Sequence, residues 1–146
     1  MLQIDISGID TSTSDLKLIL TEYGHSNNGH SHVDKGDQVH WKVKNGSGVA
    51  SIQDIIRKPI YGSTDIFSLD APKPQDGNQK KHWKGTVDEN VAEFSIYIYS
   101  ITWVKEGENV SRVFDPIISI KPEPLSPIPN IIGITLGILG LSSFIY

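Results

Sequence analysis

The sequence predicts an all-β protein: an antiparallel Greek-key β-sandwich, followed by a proline-rich spacer and a C-terminal hydrophobic helix. Three observations carry the prediction. Apolar and polar residues alternate over short runs, the pattern of a strand with one face in a core and the other in water. Turn signals rich in Gly and Asn separate those runs at fairly regular spacing. No long segment shows a convincing helical period, and there is no internal repeat.

The elements follow in order. Leu2, Ile4 and Ile6 alternate with Gln3, Asp5 and Ser7. Leu16, Leu18 and Leu20 alternate with Lys17, Ile19 and Thr21. Val39, Trp41 and Val43 alternate with His40, Lys42 and Lys44, the cleanest case. Residues 53–61 are expected to hold a helical turn, limited by Pro59. The run Phe94 to Trp103 is apolar on both faces, with Phe94, Ile96 and Ile98 on one and Tyr97, Tyr99, Ile101 and Trp103 on the other. It reads as a central strand covered on both sides, or as one with a face at an interface; Tyr97, Tyr99 and Trp103 are then the candidate interaction face. Ile118 and Ile120 alternate with Ser119 and Lys121 in a last strand. Turns are expected at Asn27-Asn28-Gly29, Lys35-Gly36-Asp37, Asn45-Gly46-Ser47-Gly48, Asp76-Gly77-Asn78 and Glu106-Gly107-Glu108-Asn109.

Composition bounds the function. The chain has 146 residues, 38% of them hydrophobic, enough for a real core in one domain. A net charge of −4 argues against broad phosphate-backbone binding, so no nucleic-acid partner is expected. The absence of cysteine excludes disulfides, thiolate metal sites and a cysteine nucleophile. The start, Met1-Leu2-Gln3-Ile4-Asp5, has no basic region and no continuous apolar stretch, and does not read as a secretory signal.

Val33-Asp34-Lys35-Gly36-Asp37-Gln38-Val39-His40-Trp41 resembles the V-x-x-G-D-x-V-x-W strand entry of cupredoxins. The likeness extends by order and spacing to Lys121. Ser47 to Asp54 falls where that family carries its first copper histidine, Gly85-Thr86-Val87 with Phe94 to Tyr99 resembles the approach to its penultimate strand, and Ile117 to Ile120 resembles its closing strand. Blue copper takes two His, a Cys thiolate and an axial Met. Near Ala50, Ser51, Ser100 and Ile101, where family ligands would fall, no such residue stands, and the single Met is Met1. The resemblance implies the scaffold without its copper, and fold alone does not give function.

Other chemistry is sparse. His25, His30 and His32 form one cluster, in which His30 and His32 share a face of an extended chain and could hold Zn, Cu(II) or Ni; a polar loop that happens to contain histidines fits the same residues. No cofactor is expected. The aspartates fall mostly at turns, and no nucleophile elbow or phosphate loop is present, so an enzyme is not expected. Lys80-Lys81-His82-Trp83-Lys84 is a basic patch that reads either as an anion contact or as a solvated loop leading into a strand. Asn45-Gly46-Ser47 and Asn109-Val110-Ser111 match the glycosylation pattern but read as turns.

Three segments result: a sandwich over 1–121, a Pro-rich linker over 122–130, and a hydrophobic segment over 131–146. From Leu125 to Tyr146 there is no charged residue. A helix over 131–146 would rise about 24 Å, against a hydrocarbon core about 30 Å thick, a marginal span. Gly133, Gly137 and Gly140 would line one helical face suited to close association, with Ile132, Leu136 and Leu139 on another toward lipid. The leading expectation is a non-enzymatic, metal-free binding module with its sandwich in the cytoplasm, tethered to membrane lipid by this tail. A protein partner or homo-oligomer is expected. Two alternatives are an oligomerising effector whose tail perturbs a membrane, and a metal protein built on the His cluster.

Overall fold

The computed structural model describes residues 1–122. Eleven strands follow in order: β1 (Leu2–Asp10), β2 (Lys17–Glu22), β3 (His25–Ser26), β4 (His30–Val33), β5 (Gln38–Val43), β6 (Val49–Arg57), β7 (Lys73–Pro74), β8 (His82–Thr86), β9 (Ile96–Lys105), β10 (Ser111–Phe114) and β11 (Ile117–Ile120). A single 3-10 turn, Gly77–Gln79, is the only helical element among the described residues. The described residues are all-β, as their alternation requires. The expected linker over 122–130 lies outside the described residues beyond Pro122, as does the whole of the expected helix over 131–146.

Two sheets face each other. One has the order β3-β2-β1-β5-β8-β7, and the other β10-β9-β11-β4 with β6 on the far side of β9. Both are mixed, which corrects the expected antiparallel arrangement. β1 runs parallel to β5, and β4 parallel to β11. The reason is chain path. After β3 the chain crosses from the first sheet to the second, and after β4 it crosses back through residues 34–37 into β5. Neighbours in space are therefore not neighbours in sequence, and alternation fixes the buried face without fixing a neighbour's direction.

The alternation places the core as expected. Ile4, Ile6, Val39 and Trp41 point inward from the first sheet, and Tyr97, Tyr99, Ile101, Trp103, Ile118 and Ile120 from the second. The layers meet where Trp41 packs on Tyr99, ring centroids 6.0 Å apart. The helical turn expected over 53–61 is instead the second half of β6. Ile52, Ile55 and Ile56 are β-branched, and the strand pairs with β9 as far as Arg57. Pro59 stops the pairing, and Ser63 N–H closes a turn onto Ile60 O at 3.2 Å.

Two glycines matter to the packing. Gly29 closes the turn between β3 and β4 at φ +75°, a conformation open to Gly at little cost, and a Cβ there would lie 3.5 Å from the Phe114 ring. Gly85 in β8 admits close backbone approach: a Cβ there would lie 3.0 Å from the Phe67 ring and 3.1 Å from Pro72 N.

Candidate functional site

The structure divides the predicted histidine cluster. The Asn27–Gly29 turn carries the chain between sheets, so His25 stands on β3 of the first sheet and His30 and His32 on β4 of the second. His30 and His32 do share the outer face of β4, their rings stacked 4.6 Å apart. His30 Nε2 is hydrogen-bonded to Ser119 Oγ at 2.7 Å. Among the described residues no group of three or more His, Cys, Asp or Glu is placed to hold a metal ion, so the three-imidazole site is not assembled.

A different histidine pair is formed. Antiparallel pairing of β5 with β8 sets His40 opposite Lys84 and His82 opposite Lys42. The two imidazoles meet on the diagonal, His40 Nδ1 2.8 Å from His82 Nε2. Gln38 Oε1 lies 3.2 Å from His40 Nε2. Partial burial pushes both histidines below their usual pKa, and the cationic charge of Lys42 and Lys84 adds to it. Neutral rings share one N–H···N bond, whereas two protonated rings would oppose donor to donor. Sequence alternation places His40 outward, but the partner was missed because β8 is short and begins in a run of lysines. That run is divided too: Trp83 is buried in the core while Lys84 stays half-buried on the sheet's outer face.

The aromatic interaction face is corrected outright. Tyr97, Tyr99 and Trp103 are 2%, 0% and 0% exposed. Trp41 Nε1 donates to Tyr99 OH at 3.1 Å, and Tyr97 stacks on Tyr99 at 4.9 Å. Burial raises both tyrosine hydroxyls far above their ordinary pKa. The outward face of β9 carries Ile96, Ile98, Ser100 and Thr102 instead. Alternation separates the two faces of a strand but does not say which one the opposite sheet covers.

A lateral groove runs between the sheets. A cavity of about 540 Å³ is bordered by β2 at Leu18 and Leu20, by Gly29 and His30, and by Phe114 and Asp115. A second cavity of about 520 Å³ adjoins it, sharing Lys17, Phe114 and Asp115 and extending along Arg112 and Val113. β10 forms this wall and pairs only with β9, so its other edge has no strand partner among the described residues. Phe114 supplies an apolar surface half-packed on the core. At the groove's side Asp115 accepts from Lys58 Nζ at 2.9 Å and from Ser100 Oγ at 2.7 Å. Partial burial pushes the Asp115 carboxyl up, but those two donors outweigh it and hold it below the usual carboxylate range. Gly29, Phe114 and the β10 edge were not foreseen as a site; the one sequence signal was the Asn-Asn-Gly turn.

Gly133, Gly137, Gly140, Ile132, Leu136 and Leu139, the residues expected to act at a membrane, lie outside the described residues. Among the described residues no helix is long and apolar enough to cross a membrane. The chain matches no protein-family profile and no curated protein sequence.

Proposed function

We propose that this chain is a non-enzymatic β-sandwich binding module, tethered to a membrane by residues 131–146, that takes an extended peptide segment in its lateral groove. The observation that carries the binding reading is the open edge of β10 beside the groove. An edge strand offers a row of backbone N–H and C=O groups, and an extended segment adds to it by main-chain hydrogen bonds. Phe114 and Leu18 would hold an apolar side chain of that segment, and the rim mixes the cations Lys17 and Arg112 with the carboxylates Asp10, Asp15 and Asp115.

The tether is supported by composition: the stretch after Pro124 carries no charged residue. A water-exposed segment of that composition must be covered by something, and lipid suits it. The cupredoxin likeness remains our reading of the scaffold, resting on Val33 to Trp41, the stretch that leads from β4 across to β5.

The binding reading is tested by selecting extended peptides from a random library on the immobilised full chain. Binders should protect β10 amides from hydrogen exchange and perturb the His30 and Phe114 resonances. Val113→Pro, which removes an edge donor, and Lys17→Glu, which reverses a flanking charge, should each weaken binding at least tenfold. Binders whose footprint lies elsewhere, or that ignore both substitutions, would overturn it.

A further inference from the structure

Exposed apolar side chains are not spread evenly over the sandwich. Tyr61 is fully exposed, and Leu69 and Phe94 are 81% and 69% exposed. They lie in the connections 58–72 and 87–95, and both connections sit at one end. Thr64 N–H donates to Ile96 O at 2.7 Å, and Asp88 N–H to Ile66 O at 2.9 Å. β11 finishes at that same end: Ile120 N–H donates to Ser95 O, and Lys121 N–H to Val33 O, each at 2.9 Å. The chain therefore leaves the sandwich beside Phe94. That residue holds φ +62°, a conformation disfavoured for a bulky side chain, in a turn closed by Ser95 N–H on Ala92 O at 3.2 Å. The turn keeps a large aromatic ring in solvent two residues before β9, whose Tyr97 and Tyr99 are buried.

We propose that this end of the sandwich faces the bilayer, with Tyr61, Leu69 and Phe94 seated in the interfacial layer of the membrane that holds the tail. The inference rests on the tether reading and adds the surface that meets lipid. Aromatic rings favour the headgroup region, where an apolar body and a polar surrounding are both satisfied. Charge selects the lipid. Connection 87–95 carries Asp88, Glu89 and Glu93 with no Lys or Arg, and connection 58–72 carries Asp65 and Asp70 with Lys58 paired to Asp115, so the acids prevail and the surface suits zwitterionic headgroups and is repelled by anionic ones.

The absence of cysteine makes a clean test, because one introduced thiol labels one place. Tyr61→Cys, Leu69→Cys and Phe94→Cys would each carry a polarity-sensitive fluorophore in the full chain. Val110→Cys, in the exposed connection at the opposite end, serves as reference. In phosphatidylcholine vesicles the first three probes should shift to the blue and be quenched by lipid-borne nitroxide, while position 110 stays water-like. Replacing part of the lipid by phosphatidylserine should reduce the shift. Vesicle-bound protein whose probes at 61, 69 and 94 match position 110 would overturn the inference while leaving the tether intact. Protein that stays out of the vesicles would overturn the tether and the inference with it. A blue shift without vesicles that grows with protein concentration would assign this end to a second copy of the chain and overturn the lipid assignment.

Discussion

Removing one oxygen from the core should be costly at Tyr99 and nearly free at Tyr97. Both rings are buried and stacked, and Phe preserves the stack in each case. Only Tyr99 accepts a hydrogen bond, from Trp41 Nε1 at 3.1 Å, and both partners are fully buried. Tyr99→Phe leaves an indole N–H without an acceptor where water does not reach. A buried donor left unpaired costs about 1–3 kcal/mol, and the missing oxygen adds a small void. For a domain of this size that corresponds to a fall in melting temperature of roughly 4–12 °C. Tyr97 makes no side-chain hydrogen bond among the described residues, so Tyr97→Phe should stay within about 0.5 kcal/mol. Urea denaturation followed by tryptophan emission would measure both, with Trp41→Phe completing a double-mutant cycle. Once Trp41 is Phe no donor is orphaned, and the added cost of Tyr99→Phe should largely vanish. Equal costs for the two tyrosine substitutions, or an unchanged cost of Tyr99→Phe on the Trp41→Phe background, would refute the reasoning.

Two further predictions follow from the geometry. His40 and His82 have folded pKa values below the unfolded value, so the unfolded chain binds protons more readily; stability is present above about pH 6.5 and is lost as pH falls through the folded values. The urea midpoint should therefore drop between about pH 7 and pH 5, and His82→Gln should flatten that slope; an unchanged slope would dissociate the pair from acid sensitivity. Gly85→Ala should destabilise by about 1–3 kcal/mol, because the new methyl meets backbone at Asp70 and Pro72, which cannot rotate away. A melting temperature equal to or above that of the parent would show that this loop yields.

The sequence made the longer strands legible because their alternation is local. Val39 and Trp41 against His40 and Lys42 state which side is inside before any partner is known. β6 misled for a specific reason. Its pairing with β9 shifts register between Val49 and Ser51 and again between Ile52 and Asp54. Those bulges space its buried residues Val49, Ile52 and Ile55 three apart, so the strand lacks the alternation that marks the others. β3, β4, β7, β8 and β10 are too short and polar to show a period; β4 and β8 are held by β11 and β5, far off in sequence, and β3, β7 and β10 by the strands beside them in the chain. The His40–His82 contact spans 42 positions and depends on the register of two strands at once. The groove was illegible on the same ground, since it is bounded by β2, β4 and β10, none of them sequence neighbours. The choice of Tyr97, Tyr99 and Trp103 as an outward face failed because which face of β9 is covered depends on where the first sheet sits.

The tether is tested most directly by fractionation. The full chain and a truncation ending at Pro129 would be expressed in bacteria, and the membranes washed with alkaline carbonate. The full chain should remain in the membrane pellet and the truncation should stay in the supernatant as a folded protein, with the same cooperative unfolding transition. Both chains in the supernatant would contradict the tether. Loss of cooperative unfolding in the truncation would show instead that residues beyond 129 belong to the sandwich.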